Sequence, residues 1–409
     1  MITEKIELSG HIIDTGQLGQ TLDDILTAGG DYVVERFVLG KTKDDSSYLR
    51  VEINAPDNGA MREIMGRITQ HGVTAVDPKD AHLEPAPSDG VFPEGFYAST
   101  NLETFARLHG DWVEVTNPEM DCALVVSGDT VRTVPMVDVR AGEMVIVGTA
   151  GVKVSAPVAN PLAEESVFEF MNSVVSSEKP QALLVRQIAQ EMRECKAAGK
   201  KVLWVGGPAI VHTGAADAMC DLVRAGYCDI LFAGNALATH DIEAAMFGTS
   251  LGVDLSKGSG VEHGHEHHLR AINRVRGYGS IANAVAAGAL TTGIMHALVE
   301  SGGTFVLVGS VRDDGPLPDV FTDVIAGQRA MRAAVKDVGF AIMVATMLHA
   351  IGTGNLLPAS IPLVCVDINP ATVTKLADRG SSHATGVVTD IGLFLEQLAD
   401  ELVPDRKRG

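Results

Sequence analysis

The fold class predicted is α/β, with a mostly parallel sheet covered by helices on both faces. Three observations predict it. From about residue 165 onward, apolar strands alternate with helical runs. The strands KVLWVGGP, CDILFAGN, TFVLVGS, GFAIMVAT and PLVCVD are nearly continuous in hydrophobic residues, as strands buried on both faces are. Second, apolar runs at 340–345 and 362–366 are joined by a Gly-bearing connection, and the later run ends on Asp367, 22 residues after Ala345. An acid so placed is where a dinucleotide-binding fold reads a ribose hydroxyl, which makes the sheet Rossmann-like. The same Asp, just ahead of Asn369-Pro370, also reads as a helix N-cap. Third, 46% of the 409 residues are hydrophobic but only 5% are aromatic, and 43 are glycine. That profile suits close packing of helices on a sheet.

Taken in order, residues 1–78 read as a small α+β domain. KIELSGHII is a strand, and Leu18, Leu22, Ile25 and Leu26 recur at helical spacing. DYVVERFVLG and SSYLRVEINA alternate as two strands around the polar turn KTKDD, and Met61, Ile64, Met65 and Ile68 mark a second helix. The order β-α-β-β-α-β is that of ferredoxin-like domains, including the ACT-type modules that bind amino acids. Residues 79–160 carry short strands with frequent turn residues, a small β-rich unit, ending in the Pro-containing connector KVSAPVANPLAEES. Residues 161–409 form the Rossmann-like domain. Its helices are expected over 180–198, 213–225, 240–247, 280–300, 320–338 and 371–377.

Ligands of open α/β sheets gather at the carboxyl ends of the strands, and the polar signatures of this chain lie there. Gly206-Gly207-Pro208 after the first strand reads either as a phosphate loop or as an ordinary strand-to-helix turn. Asn235-Ala236 and Thr239-His240-Asp241 follow the second strand, and Arg312-Asp313 the third. Thr346-Met347-Leu348-His349, Asp367, and Thr389-Asp390-Ile391 follow later runs. One such group could be a cap or turn; their convergence argues for a site. The cluster His263, His265, His267 and His268, with Glu262 and Glu266, lacks the H-E-x-x-H spacing of a metalloprotease. Gly258, Gly260 and Gly264 favour a polar substrate-facing loop or helix entry, and no metal is expected. Arg270, Arg274 and Arg276 follow and could fork a carboxylate or form surface salt links. No P-loop occurs, so NTPase and kinase readings have no support.

A formal charge of −20 argues against phosphate neutralisation, and so against nucleic-acid binding; it suits cationic small molecules. The five cysteines form no CxxC pair, which fits a reducing compartment. With no run of 18 apolar residues and no signal peptide in the first ten, a cytoplasmic, membrane-free protein is expected, working as a homo-oligomer.

Longer strings carry a resemblance. GHIIDTG and GVFPEGFYASTNLETFARLHGDWVEVTNPEMDCALVV stand in the amino half. FAGNALATHDIE, HHLRAIN, GSVRDDGPLPDV, ATMLHAIGTGNLLP, VDINPATVTKLADRG and TDIG stand in the carboxyl half. With these the chain resembles the archaeal-type ornithine cyclodeaminase family over nearly its full length. That family carries the conserved region of the bifunctional lysine-ketoglutarate reductase/saccharopine dehydrogenase. The same module is similar to the carboxyl-terminal part of cyanobacterial arginine dihydrolase/ornithine cyclodeaminases, whose guanidine-hydrolysing domain is absent from this sequence, so no dihydrolase activity is expected. The resemblance implies recycled NAD and conversion of L-ornithine to L-proline and ammonia. It implies cofactor contacts at Asn235, Ala236, Asp313, Thr346, Met347, Leu348, His349, Asp367, Asp390 and Ile391, a set that largely coincides with the strand-end residues above.

The chemistry needs a cationic clamp for the α-carboxylate and a base that takes a proton from an ammonium. The tethered δ-amine then closes the ring at high effective concentration. Arg270 or Arg274 are the candidates for the clamp, and His240, Asp241 or His265 for proton handling, on their place in polar loops beside the expected cofactor. Two other readings stand beside this one: a non-catalytic NAD- or amino-acid-sensing module, and an enzyme acting on a related diamino acid such as lysine or 2,4-diaminobutyrate.

Overall fold

The computed structural model describes residues 2–10, 12–13, 16–40, 45, 47–68, 71–75, 79–155, 181–250, 253–254, 266–311, 313, 315–372 and 384–406. Two compact units emerge: Met1–Glu164 with Asn355–Ser360 and Gly380–His383, and Glu165–Gly354 with Ile361–Arg379 and Ala384–Gly409. Both expected domain boundaries, after 78 and after 160, fall outside the described residues.

The first unit begins with β1 (Ile2–Gly10), α1 (Gln17–Thr27), β2 (Asp31–Val38), β3 (Ser47–Ala55), α2 (Asn58–Ile68) and β4 (Thr74–Ala75). The strands pair in the order β2-β3-β1-β4, all antiparallel, which is the ferredoxin-like arrangement. Strict alternation along β3 sends Leu49, Val51 and Ile53 into a core with Ile6, Leu8, Ile25, Ile64 and Ile68. Tyr48 and Arg50 take the other face, where the Tyr48 hydroxyl donates to Glu7 Oε1 at 2.6 Å. A second sheet follows, of β5 (His82–Pro85), β6 (Thr104–Leu108), β7 (Asp111–Thr116), β8 (Ala123–Ser127), β9 (Thr130–Val134), β10 (Met144–Val147) and β11 (Val152–Val154). Its order is β11-β6-β7-β9-β8-β10-β5, and only β7 and β9 run parallel. His109-Gly110, both at positive φ, make the two-residue turn that joins β6 to β7.

The second unit holds α3 (Gln181–Ala197), β12 (Lys201–Gly206), α4 (Ala209–His212), α5 (Ala216–Arg224), β13 (Ile230–Gly234), α6 (Asn235–Phe247), β14 (Thr249–Ser250), β15 (Val253–Asp254), α7 (His267–Tyr278), α8 (Ile281–Ala286) and α9 (Ile294–Glu300). It continues with β16 (Thr304–Val308), β17 (Val320–Phe321), α10 (Val324–Ala334), β18 (Val338–Val344), α11 (Leu348–Leu356), β19 (Leu363–Asp367), β20 (Ala384–Val388) and α12 (Ile391–Leu402). Seven parallel strands form one sheet, ordered β17-β16-β13-β12-β18-β19-β20. Apart from the added edge strand β17, this is the doubly wound Rossmann order, with its reversal between β12 and β18. Trp204, Phe232, Phe340 and Phe394 are wholly buried, each contributing roughly 2 kcal/mol of apolar burial.

Three expected helices come out differently. The run over 280–300 is two helices, because Gly288 and Gly293 adopt positive φ between them. The run over 320–338 divides into β17, α10 and the first residue of β18, with Asp323 capping α10 through Ile325 N and Ala326 N. The helix expected from residue 240 starts earlier, at Asn235, directly from the end of β13. Among the described residues, no helix is long and apolar enough to cross a membrane.

Candidate active site

The reversal of strand order opens a crevice at the carboxyl ends of β12 and β18. Gly207 N donates to Val344 O at 2.9 Å, and a Cβ on Gly207 would stand 1.8 Å from Ala345 O. Only glycine fits where the two backbones touch. Ala345 itself is held at φ +54, an uncommon conformation for alanine. The glycines of this turn therefore answer first to the meeting of the two sheet halves.

On the later half, the turn after β18 leads into α11, read from the sequence as a Gly-bearing connection. Met347 and Leu348 sit exposed at its start, Leu348 at 81%. Ile368, just beyond β19, is 68% exposed. Large apolar side chains standing open at strand ends suit a flat ring laid against them. Asp367 lies at the carboxyl end of β19, and its Oδ1 accepts from Asn369 N at 2.8 Å; Ala371 N donates its capping bond to Asn369 Oδ1 instead. Asp390 caps α12, accepting from Leu393 N at 2.8 Å, and Ile391 behind it is buried. Thr346 is half-buried beside Ala345.

On the earlier half, Asn235 is buried at the first turn of α6, and its Oδ1 accepts from Leu317 N (3.0 Å) and Thr239 Oγ1 (3.3 Å). Ala236 next to it is exposed. His349 reaches across from α11. Its Cε1 lies 3.3 Å from where a Gly234 Cβ would stand, and its ring is hydrogen bonded to the Val308 backbone. Burial pushes this imidazole below the usual histidine range, against the Val308 bond and the charge of Asp313, which act the other way. The Asp313 carboxylate is fixed by Ser310 N at 2.9 Å. The fold thus brings Asn235, Asp313 and His349 together from three separate turns, with Asp367 and Asp390 at the ends of β19 and β20.

Beside them lies a group of polar residues that the sequence reading largely missed. His240 Nδ1 is 2.9 Å from Glu243 Oε2, and the Glu243 side chain has no exposure at all. Thr249 Oγ1 donates to Glu243 Oε1 at 2.9 Å and lies 2.8 Å from His267 Nδ1. One self-consistent pattern satisfies these contacts: His267 Nδ1–H donates to Thr249, while Thr249 and His240 Nδ1–H donate to a charged Glu243. The exposed His212 ring stands 4.9 Å from that of His240, and its Nδ1 is 2.7 Å from Ser250 Oγ. Only the three-residue spacing of His240 and Glu243 on a helix could have disclosed any of this in advance.

The remaining candidates are placed as follows. Asp241 faces away from His240: its two oxygens accept from Ile294 N and Met295 N, each at 2.8 Å. Burial pushes its carboxyl up to about 6, against those two bonds. Arg270 is exposed on α7 and clasps Glu266, with Nη2 2.6 Å from Oε2. Arg274 is exposed one turn on, and Arg276 donates to Pro316 O at 2.7 Å. His263 and His265 lie outside the described residues. Among the described residues, no group of three His, Cys, Asp or Glu side chains could hold a metal ion.

Comparison with known proteins gives consistent matches along the chain. The family model of the Rossmann-fold part of the ArgZ-like arginine dihydrolase carboxyl-terminal region matches residues 186–398, and that of its first region matches 103–185. The conserved region of the LOR/SDH bifunctional enzyme matches residues 3–102. An ornithine cyclodeaminase of Methanothermobacter thermautotrophicus is 49% identical over 98% of both chains. The apo crystal structure of ArgZ, a cyanobacterial arginine dihydrolase, superposes with a TM-score of 0.85 at 38% identity, covering 98% of this chain and 58% of that one. The ternary complex of AgrE with ornithine and NAD⁺ superposes at 0.53 and 41% identity, covering 98% of this chain and 57% of AgrE.

Proposed function

The chain belongs to the family of ArgZ-like carboxyl-terminal regions and archaeal ornithine cyclodeaminases, and we propose that it converts L-ornithine to L-proline and ammonia with NAD as a recycled hydride carrier. The observation that carries this reading is a single helix. α6 begins at the crevice with Asn235 and Ala236 and, one turn on, presents His240, so cofactor binding and proton handling share one rigid element.

The crevice fits NAD. It lies at the reversal of a doubly wound sheet, carries an acid at a strand end, and leaves Leu348 and Ile368 open for a ring to cover. The residues we assign to it are Asn235, Ala236, Asp313, Thr346, Met347, Leu348, His349, Asp367, Asp390 and Ile391. Asp390 and Ile391 contribute as the start of α12 and Asp367 as an acceptor for a ribose hydroxyl. When bound, the cofactor supplies the acceptor for hydride from the ornithine α-carbon and returns it to the cyclic imine.

The protein's own work is to bind, orient and move protons. His240, with Nδ1–H given to Glu243, keeps Nε2 as the basic nitrogen for a substrate ammonium. Of the three proton-handling candidates the reading rests on His240, since Asp241 is taken up by the start of α9. Arg270 or Arg274 on α7, the helix that also carries His267 and His268, would hold the α-carboxylate. An ornithine so held has its δ-amine tethered within reach of the oxidised α-carbon, which replaces a second encounter by ring closure.

The partner expected is L-ornithine or a closely related cationic amino acid, with no nucleic acid or membrane. Five buried cysteines, none of them in a disulfide, support a cytoplasmic setting. The homo-oligomer expectation is kept, supported by the exposed apolar strand β2. The test is release of proline and ammonia from L-ornithine, with and without added NAD⁺. Equal amounts of both, with no net accumulation of NADH, are expected; no product from protein with measured NAD occupancy would overturn the assignment.

A further inference from the structure

β2 is the edge strand of the ferredoxin-like sheet, pairing with β3 alone among the described residues. It is long, and it is apolar where edges normally are not. Val33, Val34, Phe37, Val38 and Leu39 are each between 44% and 60% exposed. An edge of this kind offers a row of backbone donors and acceptors together with a hydrophobic border.

Its sequence also complements itself. Reading outward from the bond between Glu35 and Arg36, the residues to either side are Val34 and Phe37, Val33 and Val38, then Tyr32 and Leu39. Strict alternation would put the members of each pair on opposite faces, but the register of β2 against β3 shifts between Val34 and Arg36. The extra residue, Glu35, changes the phase. Val34 opposes Val51 and Phe37 opposes Leu49 on the core face, while Val33 opposes Glu52 and Val38 opposes Tyr48 on the outer face. Glu35 meets Lys5, which also bridges Glu52, and Arg36 lies over the Tyr48 ring at 5.5 Å. Glu35 and Arg36 therefore share the outer face. A bulge commonly twists an edge out of a stranger's reach; this one brings every pair into phase.

We propose that β2 pairs antiparallel with β2 of a second copy, about a two-fold axis between Glu35 and Arg36, making one eight-stranded sheet. Across the axis Val34 faces the partner's Phe37 and Tyr32 the partner's Leu39 on the core side. Val33 faces the partner's Val38 and Glu35 the partner's Arg36 on the outer side, each contact occurring twice. The doubled Glu–Arg contact selects this chain's own copy over an unrelated apolar partner. The inference deepens the homo-oligomer reading by naming the surface that makes it.

The test uses the full chain in sedimentation velocity, with cyclodeaminase activity as the control for folding. R36E sets like charges opposite each other twice and should raise the dimer dissociation constant about tenfold or more. The double exchange E35R/R36E restores opposite charges and should bring the constant back to within about threefold of the parent. Because the native cysteines are all buried, a V33C/V38C variant should form dimer-mass crosslinks under mild oxidation. A monomeric parent would overturn both the surface and the homo-oligomer reading. A parent oligomer that ignores R36E and gives no crosslinks in V33C/V38C would overturn the surface alone.

Discussion

The ferredoxin-like sheet and the parallel sheet use the same residue types to opposite ends. β3 alternates buried and half-buried residues along its length, whereas β12, apart from Lys201, and β19, apart from Asp367, are buried throughout. One open face lets the first sheet spread its polar residues along the strands, as Glu7, Tyr48 and Arg50 are. The parallel sheet, covered on both sides, has nowhere for polar chemistry except the strand ends. Its function is thereby concentrated into a few turns, and so is its vulnerability.

The largest expected effect breaks that contrast at its tightest point. G207A drives a methyl group into the Ala345 carbonyl and should cost about 3 kcal/mol, at the upper end for overpacking. NAD binding, followed by fluorescence, should be lost with it. The matched change on the open sheet, K5M, removes exposed, solvent-screened ion pairs to Glu35 and Glu52 and should leave the melting temperature nearly unchanged. Comparable losses in the two variants would mean that the parallel sheet is no more brittle than its neighbour.

A smaller but sharper effect is expected from E243Q. The amide keeps the shape but ends the charged acceptor shared by His240 and Thr249. Turnover should fall about 10²-fold with KM little changed. A fall in NAD affinity with turnover unchanged at saturating NAD would make Glu243 merely structural.

The smallest effect is in pH dependence. The His349 pKa is lowered in the folded protein, so its contribution is present above the unfolded value of about 6.5 and is lost as pH falls through the folded value. The melting temperature should decline below pH 6.5, and H349Q should flatten the decline by on the order of 2 °C. A steeper decline in H349Q would contradict the sign argued for this ring.

Much of this architecture was legible because burial on both faces leaves its mark on composition. The apolar runs announced the parallel strands, and alternation announced β3. α11 was hidden because Gly352 and Gly354 read as breaks, although a helix held by its surroundings carries them. α7 was obscured by the glycine-rich approach to His267. The strand-end residues could be picked out one by one, since each follows its own apolar run. The partners of His240 could not, apart from Glu243. Thr249, His267 and His212 come from separate elements, and only the fold makes them neighbours.

Helix α6 is gripped on several sides at once. Asn235 ties its first turn to Leu317, His240 and Glu243 lock into the Thr249–His267 network, and Asp241 is seated on the start of α9. Mechanically it behaves as a bolt rather than a lever, free neither to rotate nor to slide. A designer wishing to move His240 by even half an ångström to suit a longer or shorter diamino acid would have to re-cut α9 as well. Selection for new substrates would find its easier route on α7 and the exposed turns, leaving this helix fixed.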